Sequence, residues 1–162
     1  EYMSSSAMLR DFAGKGGANQ DHTWWSLKGG KEFLEERLKS DVDTKFDKYL
    51  LDIMDEKDNF VVDSWTMPWL YKDQALRIYL KAPFSVRASR VMFRDKLSEE
   101  DAKSAVKMKD TDTRKIYLLN YSYDVAKDTE DFDLIVNTQY FDIKGVVLFV
   151  LNYVKTVEKY YE

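Results

Sequence analysis

Three short runs rich in β-branched and aromatic residues, each closed by polar residues, limit this chain more than any other feature. They are "NFVVDSW" (Asn59–Trp65), "ALRIYLKA" (Ala75–Ala82) and "DFDLIVNT" (Asp131–Thr138), and their length and character predict buried strands. Amphipathic patterns separate them. Asp41–Asp55 sets Phe46, Leu50, Leu51 and Met54 at helical spacing, and Asp110–Tyr123 does so with Ile116, Leu119 and Tyr123. Asp142–Tyr161 carries Val146, Val150, Tyr153, Val157 and Tyr161 on one stripe. "FSVRASRVMFR" is also expected to be helical, with Pro83 near its first turn, where a missing N–H costs little. Strands bounded by turn residues and alternating with helices predict an α/β fold with a mostly parallel sheet. Ligands of such sheets sit outside the carboxyl ends of the strands. Asp63 and Ser64 close one strand on that rim, and Arg87 follows the next. The Gly-rich stretch from Gly14 to Gly30 is expected to be a mobile connection.

With 162 residues, the chain is long enough to bury a core and is read as one domain. A content of 44% hydrophobic and 33% charged residues suits a folded protein and not a disordered one. The 25 Lys and Arg against 29 Asp and Glu leave a net charge of −4, which argues against duplex nucleic acid as the main partner. Any anion must therefore be bound by a local cluster. The lack of cysteine excludes disulfides and thiolate metal sites, and with His22 the one histidine, imidazole zinc sites and Ser-His-Asp triads find little support. No run reaches the ~18 apolar residues of a membrane span, and no charged-then-apolar leader opens the chain, so a cytoplasmic setting is expected.

Arg87, Arg90 and Arg94 follow the second strand at spacings of three and four, which brings them onto adjacent positions of one helix surface. Guanidinium groups bind phosphate through paired N–H donors and stay charged at any working pH. A solvated face is the alternative reading of three arginines alone. The polar stretch "DKLSEEDAKSAVKMKD" comes next and is expected to be flexible, and the helix after it carries Arg114. An arginine helix, a charged mobile segment and a second arginine-bearing helix make a phosphate-closing lid.

Through these residues the chain resembles the cytidylate kinases, in particular the short archaeal-type members. "IYLKAPFSVRASRVMFRD", "SEEDAKSAVKMKDTDTRKIYLLNYSYDV" and "DFDLIVNT" are similar to the last two thirds of the family, and "YMSSSAMLRDFA" and "SDVDTKFDKYLLDIMDEKDNFVVDSW" to its earlier part. The resemblance implies a three-layer P-loop kinase fold, with a parallel sheet flanked by helices. Its monophosphate-binding region would span about residues 10–56 and its lid about 94–114. It implies transfer of a phosphoryl group from Mg²⁺-bound ATP to a nucleoside monophosphate, CMP or dCMP first. Carried over by position, Ser4 and Arg10 would grip the acceptor nucleotide, and Asp43 and Asp47 would lie in the monophosphate-binding helix region. Asp63 would support the reaction centre. Arg87, Arg90, Arg94 and Arg114 would neutralise the transferring phosphoryl group, and Asn137 and Thr138 would lie near the adenine of ATP. The chain departs from the family in two places: Trp65 stands where an arginine is common, and Lys107 and Lys109 replace the middle arginines of the lid.

These kinases open with a strand, a GxxxxGK[ST] loop and a helix that cradle the ATP phosphates. Neither "GKGG" at Gly14–Gly17 nor "KGGK" at Lys28–Lys31 has that spacing or follows a strand, and both are read as turn and linker glycines. The chain begins at Glu1, where the family has its second strand. About 25 residues, a strand and helix of ordinary α/β size, are therefore expected ahead of it. That strand would lie mid-sheet, and without it both neighbours should expose apolar surface. His22 is read as a surface or capping residue, and Trp24 and Trp25 as local packing or base-stacking residues. Asp41 and Asp110 are expected to cap helices, since "DVDTKFD" and "DTDT" lack the glycine and closing glutamate of a calcium loop. Two further readings stay open: a P-loop-free nucleotide-binding or scaffold protein, and a kinase of another small metabolite such as dephospho-coenzyme A or shikimate.

Overall fold

The computed structural model describes residues 1–15, 24–25 and 28–160. The readings of His22 and Tyr161 lie outside the described residues. In chain order the elements are β1 (Tyr2–Ser4), α1 (Ser5–Phe12), α2 (Lys28–Arg37), α3 (Val42–Asp55), β2 (Val61–Asp63), α4 (Met67–Leu70), β3 (Ile78–Lys81), α5 (Phe84–Asp95), α6 (Glu99–Tyr121), β4 (Leu134–Asn137) and α7 (Ile143–Val157). Short 3₁₀ turns follow β4 and α7.

Strand pairing is parallel, as the alternation of strands and helices predicts. β1 pairs with β2, setting Tyr2 opposite Val61 and Ser4 opposite Asp63. β3 pairs with β4, setting Ile78 opposite Leu134 and Lys81 opposite Asn137. The described strands thus form two two-stranded sheets. They are also shorter and more exposed than their sequences suggest: Val61 is 66% exposed and Leu80 51%, and Val136 is the one residue of β2, β3 and β4 in the core. β-branched runs report affinity for a pleated surface, while burial depends on what covers that surface.

Two clusters make the core. Met3, Leu9, Phe33, Phe46, Leu50, Met54 and Met67 form the first, between β1, α1, α2, α3 and α4. Leu34, Trp69, Ile116, Tyr117, Tyr123 and Val125 form the second, beside α6. Helix α2 joins them, turning Phe33 into one and its neighbour Leu34 into the other. The "KGGK" glycines, expected to be linker, begin this helix. A Cβ on Gly30 would lie 2.6 Å from both the Trp24 carbonyl oxygen and the Trp25 Cα, so only glycine lets the helix seat the two tryptophans this closely.

The charged stretch expected to be flexible is instead the first half of α6, which runs unbroken for 23 residues. Ser98 caps it by accepting from the Asp101 N–H, three acidic residues occupy its first turn, and Glu99 pairs with Lys103 one turn on. Buried Ala102, Val106, Thr113, Ile116 and Tyr117 hold it to the protein, while Leu119, expected inside, is exposed. Asp110 is accordingly mid-helix and caps nothing. Asp41 does stand at the N-cap of α3, but its carboxylate pairs with Lys45 and makes no capping bond. Helix α7 has no buried residue, and its predicted stripe is half-covered at best. Among the described residues, no helix is long and apolar enough to cross a membrane.

Candidate functional site

A cavity of about 40 Å³ opens beyond the carboxyl ends of β1 and β2. Its walls come from four helices and two connecting segments. Ser5, Ser6 and Leu9 start from α1, Arg37 ends α2, and Asp43, Phe46 and Asp47 lie on α3. Trp65 and Thr66 follow β2, Lys109, Thr113 and Tyr117 lie on α6, and Trp25 closes the top. The volume holds about one water, far below the several hundred Å³ of an ordinary ligand pocket. A ligand larger than a few atoms must displace a wall or extend through the cavity's open side.

Two buried polar groups dominate the interior. The Arg37 Nε donates to both Asp43 carboxylate oxygens at 3.1 and 3.0 Å, its Nη2 donates to Oδ1 at 2.5 Å, and the same Nη2 reaches the Tyr117 hydroxyl at 3.3 Å. Burial alone would lower the arginine's pKa, but the hydrogen bonds and charge of Asp43 outweigh it and hold Arg37 above its ordinary range. Four residues along α3, Asp47 accepts from the Thr66 hydroxyl at 2.8 Å and the Tyr121 hydroxyl at 2.5 Å. Burial pushes its pKa up to about 6 against the pull of those two donors. Desolvation pushes Tyr117 up to about 12. The Thr113 hydroxyl is buried in the cavity wall with no hydrogen-bond partner among the described residues.

The tryptophans lie against the cations. Trp25 faces Lys109 Nζ at 5.0 Å and the Arg37 guanidinium at 5.9 Å, and Trp24 faces the Arg10 guanidinium at 5.4 Å. Contacts of this kind favour cations that have lost water. Arg10 is buried, and its Nε has no hydrogen-bond partner among the described residues.

Of the residues singled out from sequence, Asp43 and Asp47 line the cavity. Ser4 precedes it, its hydroxyl 3.3 Å from that of Ser6. Asp63 stands exposed at the end of β2, two residues before the cavity's Trp65. The four arginines are engaged elsewhere. Arg87 makes a fork of two 2.7 Å bonds to Asp110, Arg94 pairs with Asp95, and Arg114 pairs with Asp124. Arg90 donates to the Thr138 hydroxyl at 2.9 Å and to its carbonyl at 2.6 Å. Thr138 also donates to the Lys81 carbonyl, and Asn137 caps the turn after β4. Thr138 therefore fastens the end of β4 to α5 and β3.

Sequence reasoning did not find Arg37, Thr66, Thr113 or Tyr117. Arg37 looks like one more charge in the polar run "KEFLEER", and its burial follows only from α2 lying against α6. The spacing of six between Arg37 and Asp43 carries no helical signature because the two lie on different helices.

The family model for the cytidylate kinase-like family matches residues 2–140. The cytidylate kinase of Sulfolobus acidocaldarius is 32% identical over 156 residues, which cover 94% of this chain and 80% of that one. The cytidylate kinase of Pyrobaculum islandicum is 32% identical over 136 residues, covering 82% of this chain and 73% of its own. That of Saccharolobus islandicus is 30% identical over 120 residues, 74% of this chain, and the match spans only 63% of the Saccharolobus protein. No solved structure matches the chain.

Proposed function

Because the chain belongs to the cytidylate kinase-like family, we propose that the cavity at the ends of β1 and β2 receives a nucleoside monophosphate, CMP or dCMP first, as phosphoryl acceptor. The observation that carries this reading is the meeting of Arg37, Asp43, Asp47, Lys109 and Thr113 on the strand-end rim where α/β proteins bind ligands. Buried carboxylates accept hydrogen bonds, which suits a ring bearing an exocyclic amine. In this proposal Ser4 and Arg10 grip the acceptor beside Asp43 and Asp47, Asp63 supports the reaction centre, and Asn137 and Thr138 lie toward the adenine of ATP.

The proposed reaction is transfer in the cytoplasm: an acceptor phosphate oxygen attacks the γ-phosphorus of ATP, the β–γ bridging bond breaks, and ADP leaves with the bridging oxygen. This chemistry needs positioning and charge neutralisation more than covalent help. Arg87, Arg90, Arg94 and Arg114 would supply it by exchanging their present partners for phosphoryl oxygens. Among the described residues no group of three or more acidic or histidine side chains is arranged to hold a metal ion. Mg²⁺ would be held mainly by nucleotide phosphates with one or two carboxylates, and Asp63, whose side chain takes no hydrogen bond or ion pair among the described residues, is the candidate. The ion would neutralise phosphate charge. The split of the sheet into two parallel pairs supports a further strand, bearing the phosphate loop, between them.

Titration calorimetry with CMP, dCMP, UMP, AMP and cytidine tests the acceptor site, and a coupled assay of ADP release tests transfer. The expected result is tightest binding of CMP or dCMP, with Arg10→Ala weakening every monophosphate tenfold or more. Equal monophosphate affinity in Arg10→Ala and the parent would overturn the site. A second reading, a nucleotide-binding protein without transfer, is favoured by the carboxylates that hold Arg87, Arg94 and Arg114. Binding without ADP release would select it. A panel including dephospho-coenzyme A and shikimate separates kinases of other metabolites.

A further inference from the structure

Two cations line the cavity, and they differ in kind. Arg37 is paired with Asp43; Lys109 has neither a hydrogen bond nor an ion pair among the described residues, and its close neighbour is the face of Trp25. Charges surround it on every packed element. Arg37 at the end of α2 and Arg94 on α5 repel it, while Asp63 at the end of β2 and Asp110 beside it on α6 attract it. Asp43 and Asp47 of α3 and Tyr117 of α6 line the same cavity. Three of the carboxylates are engaged elsewhere: Asp43 serves Arg37, Asp110 serves Arg87, and Asp47 takes two hydroxyl donors. Asp63 attracts the ammonium without forming an ion pair with it. An ammonium drawn from water against an aromatic ring, with guanidinium groups nearby, is destabilised as a charge. Desolvation first, then the charges of Arg94 and Arg37, lower its pKa to about 8.

A cavity lined by a cation that has no ion pair among the described residues is prepared for an anion, and a phosphate monoester supplies two negative charges at neutral pH. We propose that Lys109 is the ammonium that takes the phosphate of the acceptor, and that its protonation gates the affinity of this chain for monophosphates. The proposal rests on the acceptor-site reading and adds a pH response that an arginine at this position could not provide, since a guanidinium does not titrate in the working range. The sign follows from which form binds. Protonated Lys109 attracts the dianion and neutral Lys109 does not, so affinity is full below about 8 and falls as pH rises past it. Toward acid, affinity declines as the phosphate itself takes a proton near about 6.

Calorimetric binding of CMP and of cytidine to the parent chain, Lys109→Arg and Lys109→Met between pH 6.5 and 9.5 tests this. The parent should lose roughly tenfold in CMP affinity per pH unit above 8. Lys109→Arg should bind CMP with a flat profile from neutral to alkaline pH, and Lys109→Met should bind it at least tenfold more weakly at pH 7, also without slope. Cytidine should bind all three alike. A flat parent profile, the same slope in Lys109→Arg, or undiminished CMP affinity in Lys109→Met would each overturn the proposal while leaving the acceptor site standing. Competitive acetylation of Lys109 in the free protein gives an independent reading: a midpoint near 8 and protection by CMP support it, and no protection at saturating CMP overturns it. If neither CMP nor cytidine binds the parent chain, the acceptor-site reading falls, and this proposal falls with it.

Discussion

Asp43 is 2% exposed, and among the described residues Arg37 supplies all three of the hydrogen bonds its carboxylate receives from side chains. Removing one member of such a pair leaves the other charge buried without a partner, which costs about 3–5 kcal/mol. Arg37→Met should therefore lower the stability of the chain by that amount in urea unfolding, and Arg37→Met/Asp43→Leu should recover much of the loss. Asp47 makes the opposite prediction for pH. Its pKa is raised in the folded state to about 6 from an ordinary value of 3.8, so the folded chain holds the proton more tightly between those values. The stability it contributes is full below about 4 and is lost as pH rises through about 6, by on the order of 3 kcal/mol at most. Asp47→Asn should remove that slope, so the parent and variant should diverge in urea midpoint between pH 4 and 7. Of these residues, Asp43 and Asp47 were legible in the sequence as members of a helix pattern. Arg37 was not, because a charged residue on a polar helix reads the same whether it meets water or a carboxylate from the next helix.

The three strands read from the sequence are all present, and α6 shows where the reading of helices stopped. Its apolar positions in the first half are only Ala102 and Val106 among the buried residues, too sparse to stand out from the surrounding Lys, Asp and Glu. The Ser98 cap and the Glu99–Lys103 pair are local signals that were present and outweighed by polarity. Ser98→Ala should cost about 1 kcal/mol, measurable as loss of helical circular dichroism at lower temperature. The glycines of α2 carry a second element-scale prediction. Gly30→Ala would drive a methyl into the backbone of Trp24 and Trp25, which cannot yield as a flexible side chain would. A loss of about 1–3 kcal/mol is expected, with a red shift of tryptophan emission as Trp25 leaves Phe33, Arg37 and Lys109.

Across the molecule the buried residues concentrate on α1, α2, α3 and α6, while α7 has none and β3 has none. Opening free energy follows buried contacts, so amides of α7 should exchange with deuterium well before those of α3 and the second half of α6, and mass-spectrometric exchange will check that order. The sequence by itself determined β2, β3, β4, α3, α5 and α7 as elements of their types, the parallel strand pairing implied by helical crossovers, and the placement of Asp63 at a strand end. Hydrophobic period and turn chemistry are local, and a linear pattern carries them intact. Tertiary structure alone decided that the pairing falls into two separate pairs, that carboxylates hold Arg87, Arg94 and Arg114, and that Arg37 and Lys109 meet in one cavity. Those outcomes depend on which helices touch, and the charge and exposure of a side chain are set by neighbours tens of residues away along the chain.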